Sequence, residues 1–164
     1  DRPALDRRLQ RLKRLTRRPN AARRRVLARQ VAGALIWRRY EAILGFARSM
    51  PRATPPELHA LRIRCKEMRY MLHLFQRALD SDASALGELF TRAQDHLGTL
   101  HDHVAALDRL APLLAAHPAN TALVTYADAR AAERDRLIAV FTPLWIELTG
   151  VETRQRLAHL LAAL

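Results

Sequence analysis

Cysteine is nearly absent from this chain: Cys65 is the only one in 164 residues, so no internal disulfide can brace the fold. Glycine is scarce at five residues and β-branched residues are few, which excludes a turn-rich sheet protein and leaves a helical one. No apolar run approaches the ~20 residues of a membrane-spanning helix. Aromatic residues make up 5%, few for a protein that stacks single-stranded bases. Acidic residues are missing from one region above all. Residues 1–50 hold three Asp or Glu against fifteen Lys or Arg, whereas residues 51–164 hold thirteen of each, so the net charge of +12 is N-terminal. Lysine is nearly missing too, with only Lys13 and Lys66 among 28 basic residues. Arginine offers a planar fork suited to phosphate oxygens, but GC-rich coding gives the same bias, so placement must carry the argument.

What is present is helix periodicity. At 49% hydrophobic, a chain of this length can bury one core without metal or disulfide staples. Leu5, Leu9, Leu12 and Leu15 predict a first amphipathic helix ending before Pro19. A long second helix is expected from Ala21 to Ser49, and Met50 to Pro56 forms a proline-rich linker. Thr54-Pro55-Pro56-Glu57 then reads as a capping box that starts a helix running to Leu79. Asp80 to Ser84 makes the next turn. A further helix is expected from Ala85 to about Ala116, kinked or ended by Pro112, and His117-Pro118 stops it. Another should span Asn120 to Leu148, disturbed near Pro143, with Gly150 closing it and Glu152 to Leu161 forming the last. The expected architecture is an all-α antiparallel helical bundle in one domain, 1–164. It comprises an Arg-rich helical pair (1–50), a helical hairpin (57–117) and C-terminal helices (119–164).

The helix after the capping box is the most informative. His59, Arg62, Lys66, Arg69 and His73 follow a 3-4-3-4 spacing that confines them to an arc of ~80°. Leu58, Leu61, Cys65, Met68, Leu72, Phe75 and Leu79 form an apolar seam about 100° away, while Ile63, Tyr70 and Leu74 flank the other side. The face left for water is Ala60, Arg64, Glu67 and Met71. Stacked cations between apolar borders repel one another unless an anion lies among them. This predicts a groove for a polyanion. Arg62 and Arg69 would fork onto phosphate oxygens, Lys66 would act as a point charge, and His59 would donate an imidazole proton.

The run LHALRIRCKEMRYMLHLF, followed by QDHLGTLHDHVAAL, resembles the CHAD family, the conserved histidine α-helical domain. The signature H-x-L-R-I-x-x-K-x-x-R-Y of its C-terminal repeat is met by His59, Leu61, Arg62, Ile63, Lys66, Arg69 and Tyr70. Its partner motif, L-G-x-L-(N/H)-D, is met by Leu97, Gly98, Leu100, His101 and Asp102. Strong matching covers about Leu58 to Leu107. Residues 1–50 lack the H-x-x-R-V-x-x-R-R-L-R signature of the first repeat, so the chain looks like the C-terminal half of a two-lobed domain.

The resemblance implies a non-catalytic module that binds inorganic polyphosphate in a basic, helix-lined cavity, with His59, Arg62, Lys66 and Arg69 as contacts. Tyr70, His101 and Asp102 would support them, Asp102 as the partner of a ladder arginine, and Gly98 and Ala105 would let the helices approach. Arg38 and Arg39 are further basic candidates; His73 is structural or at the rim. A half-domain could restore a two-lobed cavity as a homodimer. The alternative is a nucleic-acid-binding helical protein using the arginines from Arg7 to Arg29. An enzyme would have to use His96 and His101-Asp102-His103, but His96 and His101 lie off a common face and no Gly-rich phosphate loop accompanies them. No catalytic residue, metal or cofactor is therefore expected. A cytoplasmic setting fits, with attachment to polyphosphate or storage granules; the chain opens at Asp1, leaving room for a preceding segment.

Overall fold

The apolar spacing of the chain becomes five α-helices in the computed structural model, which describes residues 21–79 and 82–164. They are α1 (Ala21–Leu44), α2 (Pro55–Phe75), α3 (Asp82–Ala116), α4 (Thr121–Thr149) and α5 (Val151–Ala162). Two short 3-10 turns, Gly45–Arg48 and Met50–Arg52, bridge α1 to α2. The described residues contain no strand. The helix expected before Pro19 lies outside them.

Local chemistry sets the helix ends. The Glu57 carboxylate accepts hydrogen bonds from both the backbone N–H and the hydroxyl of Thr54, each at 2.7 Å, fixing the first turn of α2. Asn120 Oδ1 accepts from the Leu123 N–H at 3.2 Å and starts α4. Gly150 separates α4 from α5 in an extended conformation rather than the left-handed one a closing glycine often takes. A Cβ there would stand 2.8 Å from the Ile146 carbonyl oxygen, so the close chain reversal needs glycine. The last carbonyls of α4 are taken up by α5: Thr153 Oγ1 donates to Glu147 O and Arg154 Nε to Thr149 O.

Three boundaries differ from expectation: α1 ends at Leu44 instead of Ser49, where 3-10 turns take over, α3 begins at Asp82, inside the turn expected over 80–84, and the end of α2 shifts. Helix α2 ends at Phe75 instead of Leu79, because the chain turns through residues 76–79 while Leu79 stays buried. Pro112 and Pro143, both exposed, sit inside α3 and α4 without ending them.

The core runs through all five helices. Every residue of the α2 seam from Leu58 to Leu79 is buried, against Leu86, Phe90, Ala93, Leu97 and Leu100 of α3. Helix α1 contributes Ala32, Ile36, Tyr40 and Ile43; α4 and α5 close the far side with Phe141, Leu148, Leu157 and Leu160. The Tyr40 hydroxyl, its pKa raised by burial, donates to Leu148 O at 3.0 Å and ties α1 to the end of α4. Cys65 is fully buried, and burial pushes its thiol up to about 12, so it is a packing residue.

Packing on α2 is not symmetric. The face expected to meet water, Ala60, Arg64, Glu67 and Met71, is half-buried, and Arg39 of α1 reaches Glu67 at 3.5 Å. Helix α1 therefore covers that side. Ile63, Tyr70 and Leu74, expected as an apolar border, are 39%, 52% and 68% exposed, and this side of α2 is the open one.

Candidate functional site

Helices α2 and α3 run antiparallel in a register that sets the ladder beside a neutral stripe. The His59 and His101 rings stack with centroids 4.3 Å apart. A Cβ on Gly98 would lie 3.4 Å from Arg62 Nε, in van der Waals contact, which sets Arg62 against α3 at this level. Thr91 and Gly87 line one groove together with Arg69 and His73. By the same register Gln94 falls at the level of Lys66. Cations thus stand on one wall, with glycine, hydroxyl, amide and imidazole groups on the other and the Glu88 carboxylate at its open end.

Few internal partners satisfy these cations. Among the described residues no carboxylate lies within ion-pair distance of His59, Arg62, Lys66, Arg69 or His73. His59 Nδ1, Arg62 Nε and Arg69 Nε are shielded from solvent and have no hydrogen-bond partner, as is Gln94 Oε1 across the groove. Buried polar atoms are normally paired, and these four face each other across the groove; His103 Nδ1 and Arg130 Nε are unpaired in the same way outside the ladder. Tyr70 sits among the cations, with Arg69 Cζ 4.7 Å and Lys66 Nζ 5.8 Å from its ring centroid. Each such contact is worth about 0.5–1 kcal/mol at an exposed site and holds the two cations over the Tyr70 ring.

The two ends of the groove differ. Around Arg69 and His73 it opens to about 680 Å³. At His59 and His101 only about 10 Å³ remains among Leu58, Leu97, Leu100 and Val104, room for about one water molecule at most. This packing holds His59 below the ordinary imidazole pKa, chiefly by burial and then through His101 and Arg62. His59 is therefore mostly neutral at pH 7, and the standing charge of the ladder rests on Arg62, Lys66 and Arg69.

Three expected contributors lie elsewhere. Asp102 is exposed and pairs with no ladder arginine, because it sits a third of a turn beyond His101 on α3. Arg39, expected near the groove, is drawn to Glu67, which Arg64 also holds at 2.9 Å, on the other side of α2. Arg38 is exposed on the face of α1 opposite Ile36 and Tyr40. The run His101-Asp102-His103 is spread round α3 and does not converge. Likewise His96 stacks on Phe141 and meets Leu137 O at 2.8 Å, on the α4 side. Among the described residues no group of three His, Cys, Asp or Glu could hold a metal ion. Side chains before Arg29 lie outside the description, so the segment from Arg7 to Arg29 has no assigned place.

Sequence reasoning picked out Gly98 for helix approach but missed the neutral wall to which it belongs. Its signal was Gly87, Thr91, Gln94 and Gly98 at 4-3-4 spacing, a stripe without charge on a helix otherwise read for its apolar seam.

Residues 1–111 match the CHAD domain family. The chain belongs to that family. The match takes in the first fifty residues, which lack the first-repeat signature, as well as the whole of the α2 ladder and most of α3. Residues 112–164, including α4 and α5, lie beyond it. CHAD domains are known for polyphosphate-related binding in general. No curated protein and no solved structure matches the chain. No helix among the described residues is long and apolar enough to cross a membrane.

Proposed function

We propose that the α2–α3 groove of this CHAD domain binds inorganic polyphosphate without cleaving it, and so docks the protein on polyphosphate or storage granules in the cytoplasm. The observation that carries this reading is the row of solvent-shielded, unpaired nitrogens on His59, Arg62 and Arg69, none of which has a carboxylate within ion-pair distance among the described residues. Polyphosphate repeats one anionic unit along a flexible chain, so it can meet such donors in series. Arg62 and Arg69 contact it through their guanidinium groups and Lys66 through its ammonium. Tyr70 holds those side chains in place, and His101 orients His59. A charge-assisted hydrogen bond contributes about 1.5–3 kcal/mol, more than the ~0.5–1.5 kcal/mol lost in ordering each side chain.

The same face exposes Ile63, Tyr70 and Leu74, where a second copy of the chain would wall the groove from the open side. Duplex DNA is the principal competitor, given the arginines of the first fifty residues. Its phosphates are spread over a wide rigid surface, whereas the unpaired donors lie in a narrow line between two helices. Competition at matched phosphate concentration tests the reading: long-chain polyphosphate should displace labelled duplex DNA. Preferential retention of DNA would assign function to the N-terminal arginines instead.

A further inference from the structure

We infer that the open end of the groove holds the nucleoside of a nucleoside polyphosphate, with its phosphates running from Arg69 toward Lys66 and Arg62. The inference rests on the ladder being a phosphate site. A bare phosphate chain explains the ladder but leaves this end unexplained. Here the groove widens to about 680 Å³, within the range of small-molecule sites, and its floor is Leu72 and Leu79, both buried and apolar. The Glu88 carboxylate also lines it. His73, Gln76, Ser84 and Thr91 line this end too and can donate to a phosphate, but the apolar floor offers it nothing and the Glu88 carboxylate repels it.

Those features suit a ring with hydroxyl and amine groups. Tyr70, half exposed, supplies the aromatic surface against which a flat base can stack, and Glu88 accepts from sugar hydroxyls or an exocyclic amine. Arg69 belongs to both halves: it lines the wide end, and its Nε is unpaired where the ladder begins. Repulsion from Glu88 and attraction to Arg69 orient the ligand, phosphates toward the ladder and nucleoside toward the wide end.

The test is calorimetry of the full chain with ATP and with tripolyphosphate in metal-free buffer, repeated on Ser84→Leu. Ser84 lines the wide end and is exposed, the helix register sets it opposite Gln76 and beyond Arg69, and leucine favours helix over serine, so the new side chain fills the wide end away from the phosphate contacts. Circular dichroism confirms the helical content of the variant. ATP is expected to bind about tenfold tighter than tripolyphosphate, and Ser84→Leu to erase that advantage while tripolyphosphate binds as before. ATP binding no tighter than tripolyphosphate, or an advantage that survives Ser84→Leu, overturns the nucleoside assignment alone. If tripolyphosphate and long-chain polyphosphate both fail to bind, the ladder reading falls with it.

Discussion

Arg62, Lys66 and Arg69 share a helix face with no acid to neutralise them, whereas Arg64, two residues from Lys66, is paired with Glu67 on the side that α1 covers. The contrast yields a direct expectation. Arg69→Gln should weaken polyphosphate binding about tenfold or more in calorimetry, and Arg64→Gln should leave it within about twofold. His59 adds a pH dependence. Its folded pKa lies below the ordinary 6.5, so the unfolded chain binds the extra proton. Its contribution to stability is full above 6.5 and is lost as pH falls through that value to the lower folded one. A bound polyanion reverses the preference by favouring the imidazolium. Affinity should therefore rise as pH falls from 8 to 6, with net proton uptake detected by calorimetry in two buffers of different ionisation heat, and His59→Asn should flatten the trend. At this scale the sequence was partly legible. Ladder spacing alone located the residues that now stand unpaired, but it placed Asp102 wrongly, since one residue's step on a helix turns a side chain by 100°. Gln94 escaped notice because an uncharged amide leaves no mark in a charge pattern.

At the scale of elements, the seam and the capping box were readable because both are local: helix periodicity fixes which residues share a face, and a cap involves four consecutive positions. The identity of the neighbour on each flank was not. Ala60, Arg64, Glu67 and Met71 look like a solvent face on a wheel, yet α1 lies there, and the apolar Ile63, Tyr70 and Leu74 remain open. Nothing in α2 itself distinguishes those outcomes, which depend on where α1 can bury Ala32, Ile36, Tyr40 and Ile43. Tyr40 shows how that placement is secured, through its hydrogen bond to Leu148 O across 108 residues. Tyr40→Phe keeps the ring packing and deletes the donor, so it should cost about 1 kcal/mol in urea unfolding, with the slope unchanged. A loss of several kcal/mol would mean the ring has also shifted.

For the whole molecule, the fold class followed from composition and periodicity together: scarce glycine, a strong apolar seam and punctuation at prolines lead to helices and little else. The CHAD match agrees and extends to residue 1, where no repeat signature was visible. The N-terminal charge excess and the ladder are separate features, and polyanion binding can engage either one. Both would weaken with salt, since counterions compete for each phosphate contact. Salt dependence alone therefore cannot assign the site, whereas substitution of the ladder can. The most direct measurement is calorimetric titration of long-chain polyphosphate at two salt concentrations into the native chain and into a variant carrying Arg62→Gln, Lys66→Gln and Arg69→Gln, with helical content matched by circular dichroism. Tight, salt-sensitive binding by the native chain and its loss in the variant is the predicted result; equal binding by both would contradict the assignment of the ladder as the polyphosphate site.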